Sequence, residues 1–138
     1  MPELFDDTQQ STLQAALDRI IPKDDYPGAW EAGCGDYIRG QLNGQLAHLA
    51  PTYQAGLDGL EAEARAEFTQ SFSDLNPDQQ ITLLGRVEEG RVRVEWATPP
   101  RPFFSMLVNH TAEGYYADPA QGGNRDRTSW RMVGFNGR

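Results

Sequence analysis

The sequence predicts an all-α fold: about five helices around one core, finished by a long irregular C-terminal tail. Three observations predict it. Apolar residues recur one helical turn apart in five separate stretches, proline or a capping side chain opens most of them, and the one short alternating stretch has no second strand to pair with. At 138 residues the chain fits one domain, residues 1–138, since domains commonly run to about 100–150 residues.

The first helix carries Leu13, Ala16, Leu17 and Ile20 at i, i+3, i+4 and i+7, with Asp7 or Thr8 placed to cap it. Pro22 ends it, because its ring removes a backbone donor and disfavours helix at Ile21. Residues 23–28 then read as a turn. A second helix is expected over 31–48, with Ile38, Leu42, Leu46 and Leu49 a turn apart. Gly33, Gly35, Gly40 and Gly44 fall in or beside it. Each costs roughly 1 kcal/mol relative to alanine, so packing must hold this helix, and the glycines allow a neighbour to come close.

Pro51 fits the first position of a third helix, whose stripe is Tyr53, Leu57, Leu60, Ala64 and Phe68 and which can extend to Phe72. Asn76-Pro77-Asp78-Gln79 is a full start signal: a cap, a proline in the first turn, and a side chain able to reach back to the cap. Ile81, Leu84 and Val87 follow as the apolar face, and Gly90 stops the helix. Residues 91–96 alternate, which puts Val92, Val94 and Trp96 on one side of an extended connection. Thr98-Pro99-Pro100-Arg101-Pro102 opens the last helix, with Phe104, Leu107, Val108, Thr111 and Tyr115 on one side. From Asp118 the periodicity ends in the tail, 118–138. It keeps Trp130, Met132, Val133 and Phe135, more large apolar groups than an uncovered segment carries, so the helical body or a partner is expected to cover them.

Charge excludes some functions. Twelve Lys and Arg against twenty Asp and Glu give a net charge of −8, a poor match for the phosphates of nucleic acid or an anionic membrane surface. The tail differs: Arg125, Arg127, Arg131 and Arg138 against Asp118 and Asp126 make it +2 and leave −10 on the rest, which suits docking to an acidic patch. Cys34 is the only cysteine, so there is no internal disulfide and no thiolate cluster, and it reads as a small buried hydrophobe. No apolar run approaches the roughly 20 residues of a membrane span. Met1-Pro2-Glu3-Leu4-Phe5-Asp6-Asp7 is acidic and lacks an export signal, so the expectation is cytoplasmic.

The residue types that catalysis needs are sparse. His110 and Glu113 stand i, i+3, but helical di-metal sites use that pair twice with further carboxylates, and there is no second copy. Gly-x-Ser-x-Gly, a phosphate loop, Gly-x-Gly-x-x-Gly and Cys-x-x-Cys-His are all missing. Asp24 and Asp25 sit in a turn and read as capping or solvated. Triads assemble from distant positions, however, so a stand-alone small enzyme or ligand-binding domain stays open as an alternative, with a site between the last helix and the tail using His110, Glu113 and Asp118.

The run from Thr111 through Glu113-Gly114-Tyr115-Tyr116, Asp118-Pro119 and Gly122-Gly123-Asn124 to Trp130 and Phe135 resembles the C-terminal signature of the gluconate 2-dehydrogenase subunit 3 family. Asp18-Arg19-Ile20-Ile21-Pro22, Asp25-Tyr26-Pro27-Gly28-Ala29, Tyr53 to Leu57, Gln79-Gln80 and Phe103-Phe104 are similar to that family in the same order, so the resemblance spans nearly the whole chain. It implies a non-catalytic small subunit that supports folding and maturation of a larger flavoprotein dehydrogenase for a sugar or sugar acid. FAD and hydride transfer would belong to that subunit, which is similar to glucose-methanol-choline oxidoreductases, and a cytochrome can carry electrons onward. No cofactor and no metal is expected in this chain. Many members carry a twin-arginine signal; none precedes Met1 here, which implies a cytoplasmic version, or a periplasmic one if a signal was removed. The residues expected at the partner interface are Glu113, Tyr115, Tyr116, Asp118, Asn124, Trp130, Arg131 and Phe135. Tyr, Trp and Arg anchor interfaces because they bury large areas at low entropic cost. The competing reading has Tyr115, Trp130 and Phe135 closing the domain's own core, with Asp118-Pro119 as a helix-ending turn.

Overall fold

The computed structural model describes residues 4–117, which form five α-helices and no strand among them. These are α1 (Asp7–Ile20), α2 (Cys34–Leu42), α3 (Ala50–Phe68), α4 (Pro77–Glu88) and α5 (Pro100–Tyr116), with short 3-10 turns at Ala47–Leu49 and Phe72–Asp74. The tail expected over 118–138, and with it Asp118, Asn124, Trp130, Arg131 and Phe135, lies outside the described residues.

α5 packs most broadly against α2 and α4 and also touches α3, while α1 lies across α3 and α4. Their shared interior holds Leu13, Leu17, Ile38, Tyr53, Leu57 and Leu60, closed by Phe72, Leu83, Phe103 and Leu107, each 1 % exposed or less. Burial of such side chains contributes roughly 1.5–3 kcal/mol apiece before ordering costs.

Local chemistry sets where helices begin and end. α1 is capped by Asp6, one residue before the expected Asp7 or Thr8: Asp6 Oδ1 accepts from the Gln9 amide at 2.7 Å, and the Gln9 side chain accepts from the Asp6 amide at 3.0 Å. The same reciprocal box at Asn76 and Gln79 opens α4, as its sequence predicts. α2 is only nine residues long, much shorter than 31–48. Gly33 stands in the left-handed region at φ 96° and turns the chain into the helix, and beyond Leu42 the chain leaves it through Asn43 and Gly44. Glycine's conformational freedom outweighs the apolar repeat there. α3 starts at Ala50, so Pro51 is its second residue, and it stops at Phe68 because Thr69 turns left-handed at φ 57°. Phe72 is buried from the following 3-10 turn instead of from α3.

Two faces differ from the periodic reading. On α4, Leu83 joins Leu84 and Val87 in the core, while Ile81 is 53 % exposed. On α5, Phe103 takes the buried place and Phe104 is only half-buried. Phe103 turns inward because α3 offers it a gap: a Cβ at Gly56 would overlap the Phe103 ring, and one at Gly59 would overlap Trp96. Of the glycines expected to admit a neighbour near α2, only Gly35 lies in that helix with a large ring, Trp30, over it.

The connection 91–96 forms neither helix nor strand and bends at Arg93 and Val94, yet Val92, Val94 and Trp96 are half-buried and the alternate residues exposed. Its partner is a carboxylate. Glu63 of α3, 1 % exposed, accepts from the amides of Arg93 at 2.9 Å and Val94 at 2.8 Å and from the Trp96 indole at 3.1 Å. Nearby, Arg86 of α4 clasps Glu67 of α3 with two nitrogens, and that guanidinium holds the Glu67 carboxyl below its usual range.

A Cβ at Gly85, in mid-α4, would meet nothing within 4 Å. Gly85→Ala is therefore expected to stabilise the isolated chain by about 1 kcal/mol, a rise in Tm of roughly 3–5 °C. Gly56→Ala, which drives a methyl into Phe103, is expected to lower stability by about 1–3 kcal/mol. Paired thermal melts check both, and equal shifts of the same sign would contradict the packing described.

Candidate functional site

The last turns of α5 carry three of the expected interface residues, and their placement begins with small groups beneath them. Gly114 gives Tyr37 of α2 room, since a Cβ there would come within 3.0 Å of the Tyr37 ring. Cys34 is fully buried, and its Sγ donates to the Thr111 carbonyl at 3.4 Å. Burial, and next the nearby Asp18 charge, push that thiol up to about 12. A thiol so placed packs as a hydrophobe and offers no thiolate.

Adjacent tyrosines then diverge. Tyr115 is 2 % exposed and donates its hydroxyl to the Pro27 carbonyl at 3.0 Å, closing the domain's own core. Tyr116 is 56 % exposed, its ring edge-on to Tyr115 at 5.5 Å. Burial raises the Tyr115 phenol above its ordinary range, with Asp24, Tyr116, Cys34 and Tyr26 adding to the rise in that order. Tyr26 is 36 % exposed and lies near enough to Tyr115 to act on its phenol. Its turn is built by Asp24, whose Oδ1 accepts from the Tyr26 amide at 2.9 Å and whose amide donates back to the Tyr26 carbonyl. Asp24 is thus a turn-capping residue, as expected. Sequence reasoning left Tyr26 out of the site; an aromatic ring inside an Asp-Asp-Tyr-Pro-Gly turn was the available signal.

Glu113 is exposed and lies beside Tyr37, whose phenol is raised first by burial and then by the Glu113 charge. His110 points elsewhere. Its Nδ1 lies 2.7 Å from the Tyr53 hydroxyl, and the two rings stack with centroids 5.8 Å apart. Burial raises the Tyr53 phenol and lowers the His110 imidazole, which favours the neutral form of both groups in this hydrogen bond. His110 and Glu113 are therefore engaged with different neighbours, Tyr53 and Tyr37. Among the described residues no three His, Cys, Asp or Glu side chains gather as a metal cage, and no helix is long and apolar enough to cross a membrane. Of the expected interface set, Glu113 and Tyr116 are at the surface, Tyr115 is beneath them, and the other five are outside the described residues.

These features define a small all-α domain whose ionisable groups hold helices and loops together and whose surface keeps exposed aromatic and apolar side chains. Residues 7–137 match the family described as gluconate 2-dehydrogenase subunit 3, and the chain belongs to that family. It is thus a subunit of a dehydrogenase complex by family. No curated protein and no solved structure matches it.

The Tyr53–His110 pair makes stability depend on pH. The folded-state pKa of His110 lies below its ordinary 6.5. Above that value both folded and unfolded imidazoles are neutral and the contribution is complete; as pH falls below it the unfolded chain takes up the proton first, and stability drops. His110→Gln is expected to flatten the fall between pH 7.5 and 5, read from urea midpoints. A wild-type midpoint no steeper with pH than the variant's would refute the pairing.

Proposed function

We propose that this chain is a non-catalytic small subunit that binds a larger FAD-dependent dehydrogenase of the glucose-methanol-choline type, acting on a sugar or sugar acid, and supports its folding and maturation. The observation that carries the reading is the match over residues 7–137 to a family named as a dehydrogenase subunit. The side chains with chemical potential point the same way, because they are engaged in structure: the Cys34 thiol is buried against α5, and His110 is paired with Tyr53.

Binding is assigned to the aromatic end of α5 together with the tail. Tyr116 and Glu113 face outward there, Tyr26 lies beside them, and Tyr115 supports them from below. Asp118, Asn124, Trp130, Arg131 and Phe135 follow in the sequence and are assigned to the same role, and the tail's net charge of +2 suits an acidic patch on the partner. A subunit that binds only the native flavoprotein stabilises it by mass action, which is how such a chain assists maturation without chemistry of its own.

Expression of the chain alone and together with the flavoprotein subunit tests this. The isolated chain should be colourless and inactive, and the flavoprotein should gain soluble, flavin-loaded activity only in its company. Trp130→Ala should weaken co-purification about ten-fold with helical circular dichroism unchanged. Sugar oxidation by the chain on its own would end the proposal.

A further inference from the structure

The end of α1, the outer face of α4 and the first half of α5 enclose an open groove of about 320 Å³. We infer that this groove is a second docking site on the same catalytic subunit, for an amphipathic helix that presents a carboxylate to Arg19 and a basic side chain to Glu88. The inference rests on the accessory-subunit reading and adds the surface by which the helical body is held.

The walls are apolar: Ile20 from α1, Leu84 from α4, and Phe104 and Val108 from α5. Ile81 stands at the lip, 53 % exposed, although it is a residue type that folding normally hides. The floor is unusual in a second way. Gly85 lies in the groove and a Cβ there would touch nothing within 4 Å, so no contact inside this chain requires a glycine. A glycine in mid-helix weakens α4, and what it gives in return is close approach by another backbone. Gly40 of α2 has equal free space but lines none of the grooves described for α4 and α5.

Charge then selects the occupant. Arg19 and Glu88 both line the groove, and neither takes part in an ion pair among the described residues. The Arg19 Nε is covered yet has no hydrogen-bond partner. A carboxylate presented to the groove would meet the charge of a guanidinium that has no ion-pair partner among the described residues. One cation and one anion on the rim also fix the direction in which the occupant lies. The volume is near the lower limit of small-molecule pockets, about 300–1,000 Å³, and suits two or three side chains spaced one helical turn apart. A second copy of this chain fits poorly, because it would bring another body of net charge −8 against the first.

The full chain, co-expressed with its flavoprotein subunit, provides the test through the amount co-purified and the dissociation constant of the complex. Ile81→Glu and Gly85→Trp should each weaken binding about ten-fold or more, while the isolated variants keep wild-type circular dichroism and melt no earlier than wild type by more than a few degrees. Arg19→Glu should weaken it as well. Wild-type affinity in all three, with Tyr116→Ala still disruptive, overturns the groove and leaves the accessory reading standing. Failure of the wild-type chain to bind the flavoprotein overturns both. An isolated chain that is dimeric, and that Ile81→Glu renders monomeric, gives the groove to a second copy and also overturns the inference.

Discussion

Among the described residues one buried carboxylate, Glu63, ties α3 to the 91–96 connection and to the start of α5. Taking Glu63 out of water is costly unless donors replace the lost hydration. Here two consecutive backbone amides and an indole converge on it. The exchange works in both directions, since the 91–96 connection has no strand to satisfy its amides and Glu63 has no solvent. Once the indole is fixed, Trp96 lies over Gly59 and against Phe103, 6.2 Å between ring centroids. Phe103 in turn fills the gap at Gly56 and meets Tyr53 edge-on, and Tyr53 stacks on His110. A line of rings therefore runs from the carboxylate along α5 toward the turns that carry Glu113 and Tyr116, and the direction of α5 follows from it.

What could be read from the sequence is what its own neighbours decide. The Asn76 box involves atoms within four residues, so α4 begins where its sequence says. The apolar repeat gave α1 and α3 for the same reason, and the alternation over 91–96 correctly separated inward from outward side chains. Adjacent choices were harder. Phe103 and Phe104 both continue the α5 repeat, and so do Tyr115 and Tyr116; a missing Cβ on α3 decides the first pair and the Pro27 carbonyl, 88 residues away, holds Tyr115 in the second. Glu63 was hidden among the other acids of α3. Its position four residues after Gly59 and three after Leu60, on the buried stripe, was the one local sign that it differs.

The candidate surfaces follow the same division. Tyr115 and Tyr116 were both candidates from the sequence, and only the fold separates the buried ring from the exposed one. The groove was not legible, because its walls come from three helices and Ile81 becomes exposed only through the way α1, α4 and α5 diverge. Periodicity placed Ile81 in the core, and the discrepancy between pattern and burial is what draws notice to that flank.

Cys34 carries a consequence for the chain's covalent chemistry. The protein's one sulfhydryl is sealed beneath α5, hydrogen-bonded to a main-chain oxygen and held far from ionisation. The described fold holds no disulfide, and its buried thiol offers no thiolate to glutathione or a stray disulfide. Thiol–disulfide chemistry in the surroundings therefore leaves this cysteine, and the packing built around it, unchanged.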